Sequence, residues 1–331
     1  MLYLDHLLQL ADHQETPAVS LFLPTHAAMA HDQDKNELRK ALDQAKICLV
    51  EHLSDQEIDT FLDPIVQLFD DASFWKNLRQ GLAIYRGPDF LKWVRTPYTL
   101  PYRVVVNSHF HLLPLIPYFE QCQRIFVLDL TVNTPTLYEA NAFYMQAVNL
   151  PHPLPPLNPS KDFQELCKIL TPFLQKQNSP LILAGASEDF SRFLEHCHYP
   201  QHAYLPFTAP QGGWRNPKLA LQTALQAQLQ NILDNIRQYA LEELKQQQNT
   251  ANTLSNMREV ANAAYNSRIA SLFVPSFPDE SETVFTEQNL TIGQELVNQA
   301  TTHTVLNGGK VYTLPQDTLN AQVPVAAILR Y

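Results

Sequence analysis

The chain has 331 residues, a formal net charge of −10, 45% apolar and 10% aromatic residues, which suits two or three globular domains. Its 8 glycines form no GxGxxG and no GxxxxGK[ST], so nucleotide binding by either phosphate loop is excluded. No apolar run approaches the roughly 18 residues of a membrane span, Asp5 stands where a signal peptide carries basic residues, and four cysteines without paired spacing (Cys48, Cys122, Cys167, Cys197) point to reduced thiols in a cytoplasmic protein.

Ala18 to Thr25 reads as an apolar strand ended by a proline turn. From Asp34 to Phe69, Leu38, Leu42, Ala45 and Leu49, then Ile58, Phe61, Ile65 and Leu68, recur at helical spacing. Gly81 to Tyr85 and Phe90 to Val94 flank Arg86-Gly87-Pro88-Asp89, a hairpin signal because proline fixes φ and Asp tolerates turns. Arg103 to Val106 predicts another strand before His109-Phe110-His111-Leu112-Leu113-Pro114-Leu115. The first segment, 1–120, is therefore expected to be an α+β domain.

The second segment, 121–208, opens with a β-hairpin, Ile125 to Leu130 and Thr136 to Ala140 around Asn133-Thr134-Pro135, with a third strand within Tyr144 to Leu150. A proline-rich loop, an amphipathic helix from Asp162 to Lys176, a buried strand from Pro180 to Gly185 and a helix capped by Ser187 follow. A small layered α/β domain is the expectation. The third segment, 209–331, has a long Ala/Leu/Gln helix from Pro217 to Gln248, with proline in its first turn, and a helical pattern continuing from Ala251 to Ile269. The strand Ser271 to Pro275, an acidic loop at Asp279 to Glu282, the helical pattern Gln294 to Ala300, Gly308-Gly309, the strand Lys310 to Leu314 and a last apolar run from Val325 complete it. Apolar residues there predict a stretch tied into a sheet, in a three-layer α/β/α arrangement.

Nucleic-acid binding needs basic residues, because phosphate neutralisation supplies most of the affinity. Lys76, Arg79, Arg86, Lys92, Arg95 and Arg103 cluster in sequence with one acid, Asp89, among them. They are the candidate RNA contacts, against the alternative of a solvated sheet face. Other constellations are less complete. Glu195-His196-Cys197-His198 lacks the i, i+4 or CxxC spacing of zinc sites, and a helix C-terminus accounts for its histidines. His109 and His111 would share one strand face, with no acid closer downstream than Glu120. No GxSxG elbow is present. These features assign no catalytic residue, metal or cofactor.

Val19-Ser20-Leu21-Phe22-Leu23-Pro24-Thr25, the His109 to Leu115 stretch, Phe126-Val127-Leu128-Asp129-Leu130 with Leu137-Tyr138-Glu139, Leu181-Ile182-Leu183-Ala184-Gly185, and the ending Ala326-Ala327-Ile328-Leu329-Arg330-Tyr331 together, in this order, resemble the bacterial archaeo-eukaryotic release factor family. Its members are relatives of eukaryotic peptide-chain release factor and Pelota. The resemblance implies an α+β first domain, an RNase H-like middle domain and an L30e-like final domain, with the ribosome, rRNA or tRNA as partner. It also implies a Gly-Gly-Gln loop between the middle-domain hairpin and its next helix. Here that loop, Leu150 to Ser160, holds five prolines and neither glycine nor glutamine, a stiffness opposite to what the motif requires. Gln211-Gly212-Gly213 is reversed and lies after the Leu181 to Gly185 strand. No Asn-Ile-Lys-Ser occurs in the first segment. The expectation is a non-catalytic translation-associated binding protein with a rescue, hibernation or conflict role. Two alternatives stand beside it: an enzyme, either an RNase H-like nuclease at Asp129 with Glu139 or a peptidyl-tRNA hydrolase with a replaced loop, and a protein-interaction scaffold without RNA.

Overall fold

A computed structural model of the chain describes residues 8–13, 16–26, 31–122, 124–157, 163–177, 179–199, 202–208, 215–247, 250–275, 283–286, 292–314 and 325–330. Two compact units emerge. One joins Met1–Phe119 to Gln247–Tyr331; the other is Glu120–Gln246. The long helix Pro217–Gln247, which opens the third sequence segment, thus lies almost wholly in the second unit.

The first unit contains β1 (Ala18–Pro24), β2 (Gly81–Gly87), β3 (Phe90–Thr96) and β4 (Arg103–Asn107), with helices α1 (His31–Leu49), α2 (Asp55–Val66) and α3 (Ala72–Lys76) between β1 and β2. Sequence periodicity over 34–69 runs through a break at Ser54, whose backbone N–H donates to the Glu57 carboxylate at 2.9 Å. Asp71 caps α3 by accepting from the Ser73 and Phe74 amides. β2 and β3 form the expected antiparallel hairpin. Val19, Leu21 and Leu23 share a face with Leu82, Ile84, Val104 and Val106, and α1 and α2 close that face with Leu38, Ala41, Ile58, Leu62 and Ile65. Burial of this apolar surface is the main stabilising term for the layer.

A strand from the other end of the chain completes this sheet. β12 (Thr283–Thr286) pairs in parallel with β4, giving the order β12-β4-β1-β2-β3. The same unit holds a four-stranded sheet in the order β10-β14-β11-β13, formed by Thr253–Leu254, Ala326–Leu329, Ile269–Pro275 and Lys310–Leu314. Two helices accompany it, α8 (Met257–Tyr265) and α9 (Ile292–Leu306). The helix predicted over Ala251 to Ile269 is present only as α8; its start is a turn and the short strand β10, and Ile269 already opens β11. Thr250 Oγ1 donates to the Gln247 carbonyl at 2.7 Å, and Asn256 then starts α8 by accepting from the Arg258 and Glu259 amides. Past the end of α9, Gly308 adopts φ +69°, the left-handed turn that glycine tolerates best. The acidic loop Asp279 to Glu282 and Tyr331 lie outside the described residues.

The second unit is built on β5 (Ile125–Asp129), β6 (Thr136–Ala140), β7 (Met145–Ala147), β8 (Leu181–Gly185) and β9 (His202–Pro206), in the order β7-β6-β5-β8-β9. β5, β8 and β9 are mutually parallel, while β6 pairs antiparallel with both β5 and β7. Helices α5 (Phe163–Gln177), α6 (Ser187–His196) and α7 (Pro217–Gln247) accompany this sheet, and α4 (Ile116–Cys122) crosses the boundary at Glu120. Ala186, not Ser187, is the N-cap of α6; Ser187 is already in the first turn. Phe126, Leu128, Leu181 and Leu183 face Phe163, Leu166, Leu170 and Phe193 in one core.

Candidate functional site

Four of the six basic candidates, Arg86, Lys92, Arg95 and Arg103, lie on the sheet and are divided by its register. Cross-strand partners share a face and alternate residues change face. Arg86 lies opposite Leu91 and Arg95 opposite Leu82, so both guanidiniums are on the helix-covered side; Lys92 lies opposite Tyr85 and belongs to the other side. Arg103 pairs with Phe22, and Phe22 with Ala83, which puts Arg103 on the Lys92 side. Arg86 is 8% exposed, donates from Nε to the Phe61 carbonyl at 2.6 Å and from Nη1 to the Phe90 carbonyl, and covers the Phe61 ring. Burial lowers its pKa. Arg95 donates to the Phe74 carbonyl and stacks over that ring, and burial lowers it as well. Arg103 is 3% exposed, with Nη1 at 3.4 Å from His111 Nε2. Lys92 is half-buried and meets Gln9. Lys76 and Arg79 are exposed.

His109 and His111 do not share a strand. The chain leaves β4 at Asn107 and runs irregularly into a 3-10 turn, Leu113–Leu115. His111 is buried, its pKa pulled to about 3 by desolvation first and then by Arg103 and His109. His109 Nε2 meets a carboxylate that sequence order conceals, Glu295 of α9. Glu295 also accepts from Asn107 Nδ2 at 3.0 Å and Gln299 Nε2 at 3.0 Å. One turn further along α9, Asn298 is 1% exposed. Its Oδ1 accepts from the Leu112 amide at 2.8 Å, and its Nδ2 donates to the Phe110 carbonyl at 3.0 Å. His303 lies near enough to His109 to have its pKa lowered, after burial, by that charge. This polar seam binds α9 to residues 107–112. The sequence signal for it is a pair of polar residues, Glu295 and Asn298, spaced i, i+3 on a helix that otherwise buries Val297 and Ala300.

Asp129 and Glu139 cannot form the expected nuclease pair. Asp129 lies opposite Thr136 and Glu139 opposite Phe126, so the three-residue offset along β6 directs the carboxylates to opposite faces of the sheet. Asp129 accepts from the Thr131 amide and hydroxyl, and Glu139 accepts from the Tyr144 hydroxyl at 2.6 Å. Among the described residues no group of three His, Cys, Asp or Glu side chains is placed to hold a metal ion. In the Glu195 to His198 run, α6 ends at His196 and Cys197 turns inward. Cys197 meets Cys167 of α5 instead. The Cys167 thiol donates to it, which keeps the proton on Cys167 and lowers Cys197, with Thr171 Oγ1 3.6 Å from the Cys197 sulfur.

The described part of the proline-rich loop, residues 150–157, is anchored by two leucines. Leu154 and Leu157 are each 7% exposed within the core of the second unit, and the Leu157 amide donates to the Asn133 carbonyl at 2.7 Å. Residues 158–160 and Gln211-Gly212-Gly213 lie outside the described residues.

The family model for Bacterial archaeo-eukaryotic release factor family 3 matches residues 160–268. No curated protein matches the chain. Among solved structures, the chain is similar to the archaeal translation termination factor aRF1 at 15% identity, covering 99% of this chain and 97% of that one with a TM-score of 0.27. It is similar at 14% identity to archaeal Pelota, from a model of ribosome-bound Pelota and ABCE1, over 76% of this chain and 72% of that one, TM-score 0.36. Saccharomyces cerevisiae Dom34, a translation termination-like factor, is 14% identical over 76% of this chain and 74% of its own, TM-score 0.32. The family match, over residues 160–268, takes in α5, β8, α6, β9, α7, β10 and α8.

Proposed function

We propose that the chain is a translation-associated binding protein of the cytoplasm that recognises the ribosome, or a partner bound to it, without hydrolysing peptidyl-tRNA. The observation that carries this reading is the pairing of the family 3 match with a loop that lacks Gly-Gly-Gln and is fastened by Leu154 and Leu157. A loop held by buried leucines and stiffened by proline lacks the backbone freedom to carry a catalytic glutamine into an ester site. The order β7-β6-β5-β8-β9, with β5, β8 and β9 parallel, supports the RNase H-like reading of the second unit. The mixed sheet of β10, β11, β13 and β14 with α8 and α9 supports the L30e-like reading of the C-terminal part. Among the described residues no helix is long and apolar enough to cross a membrane. Of the basic candidates, Lys76 and Arg79 are the ones with charge on the surface, and they are the proposed contacts to rRNA or tRNA.

Cosedimentation with bacterial ribosomes tests this at low and moderate salt. Wild-type protein is expected in the ribosomal pellet, and Lys76→Glu/Arg79→Glu is expected to leave it, with a weaker salt dependence for whatever remains. Absence of wild-type binding at both salt concentrations would defeat the proposal. Release of peptide from peptidyl-tRNA by the purified chain would defeat its non-catalytic part.

A further inference from the structure

The second unit also carries a groove. It has a volume of about 380 Å³ and is lined by Phe190 of α6, His202, Ala203 and Tyr204 of β9, and Asn235, Gln238, Tyr239 and Glu242 of α7. Consecutive strand residues point to opposite faces of a sheet. Because His202, Ala203 and Tyr204 all line the groove, it opens along the edge of β9, not on one face. β9 is the last strand in its sheet order. On its inner side the Phe207 amide donates to the Gly185 carbonyl. By alternation, the amides and carbonyls of His202 and Tyr204 turn outward, and Pro206, next in that outward series, has no N–H to offer.

The walls have a consistent chemistry. Rings run in a connected series: Tyr204 to Phe190 at 5.0 Å between centroids, Phe190 to His202 at 5.9 Å, and His202 to Tyr239 at 6.1 Å. Tyr239 is 44% exposed. His202 Nδ1 donates to the Tyr199 carbonyl at 2.7 Å, which fixes the orientation of its ring. The lining contains one ionisable acid, Glu242, and no lysine or arginine. Aromatic faces beside a carboxylate attract cations, whereas a phosphate backbone would need the basic side chains that are missing here.

We propose that this groove binds an extended peptide segment of a protein partner, which pairs with the outer edge of β9 and places an arginine or lysine side chain among Tyr204, Phe190, His202 and Tyr239 against Glu242. Strand addition supplies backbone hydrogen bonds and the ring-and-carboxylate pocket supplies side-chain selectivity. The volume suits one long side chain with the backbone carrying it.

The test is fluorescence anisotropy with the full chain and a short fluorescein-labelled peptide of alternating valine and threonine around one central arginine. Its controls are the same peptide with glutamate replacing arginine and a labelled oligouridylate. The arginine peptide is expected to bind saturably, with about tenfold or greater loss in both Tyr239→Ala and Glu242→Gln. Glu243→Gln, one residue outside the groove on an exposed face of α7, is expected to bind as wild type. Hydrogen exchange at the Tyr204 amide is expected to slow when the peptide is added. Equal thermal midpoints for the variants confirm that they are folded. No binding of the arginine peptide, equal binding of the glutamate peptide, or oligouridylate binding that Tyr239→Ala abolishes would each overturn the proposal.

Discussion

Asn298 offers the sharpest test of the seam between α9 and residues 107–112. Its amide uses both ends on backbone, accepting from the Leu112 N–H at 2.8 Å and donating to the Phe110 carbonyl at 3.0 Å. All of these groups are inaccessible: Asn298 is 1% exposed, Phe110 2% and Leu112 0%. In Asn298→Ala, water cannot replace the lost partners, so each orphaned backbone group costs about 1–3 kcal/mol and the pair about 2–6 kcal/mol. Asn298→Asp keeps the acceptor for Leu112 but sets a buried carboxylate against the Phe110 carbonyl, and is expected to be no better than alanine. Urea unfolding followed by Trp75 and Trp93 fluorescence reads the first unit, in a Trp214→Phe background that removes the signal from elsewhere. Amide exchange at Leu112 reads the hydrogen bond itself. A loss under about 0.5 kcal/mol in Asn298→Ala, with unchanged exchange at Leu112, would refute the reasoning, since ordinary surface substitutions fall in that range.

Protonation of His111 should destabilise the fold in mild acid. Its folded pKa, about 3, lies below the ordinary 6.5; the unfolded chain therefore binds the extra proton, and stability falls as pH drops through that window by up to about 1.4 kcal/mol per pH unit. Urea midpoints at about pH 7 and about pH 5.5 should differ less in His111→Phe than in wild type. In the second unit, Arg237 binds the Glu120 carboxylate at 2.6 Å and Asp234 at 2.7 Å, with Glu120 only 7% exposed at its side chain. Arg237→Met is expected to cost about 2–4 kcal/mol in urea unfolding, and Glu120→Gln combined with it less than the sum of the single changes. Gly81→Ala brings a Cβ to 2.6 Å from the Tyr98 carbonyl and 2.8 Å from Leu100 Cγ. It should lose about 1–3 kcal/mol in thermal unfolding, and trimming Thr96 to alanine should not restore it because a backbone atom still obstructs.

Local chemistry made much of the fold readable. The β2–β3 hairpin follows from Gly-Pro-Asp between apolar runs, and α7 begins at Pro217 as the first-turn preference implies. Reading fails where a partner distant in sequence decides. His109-Phe110-His111 alternates like a strand, yet the Phe110 carbonyl and Leu112 amide go to Asn298 and not to a neighbouring strand. The histidine pair seemed to lack an acid because Glu295 arrives from α9. Charge density along 76–103 suggested one basic surface, but a sheet sorts residues by parity, and parity separates Arg86 and Arg95 from Lys92 and Arg103. Cys167 and Cys197 have no motif spacing, and helix α5 and the residue that ends α6 still bring their sulfurs together in one core.

A strand from the C-terminal part of the chain has a structural task in the N-terminal sheet. β4 is wholly buried, and without β12 its outer amides and carbonyls would form an open edge, a liability for association with other chains. β12 supplies that edge in parallel, from Thr283↔Arg103 to Thr286↔Val106, and a parallel partner requires a long crossover. All of the second unit lies inside that crossover, since Glu120–Gln246 separates the two stretches of the first. Closing so long a loop costs entropy before the pairing returns any energy. The contacts of Asn298 and Glu295 with residues 107–112 hold the two ends together beside the β12–β4 ladder. The ends of the chain are therefore one folding problem, and the polar seam at α9 is where its solution is fastened.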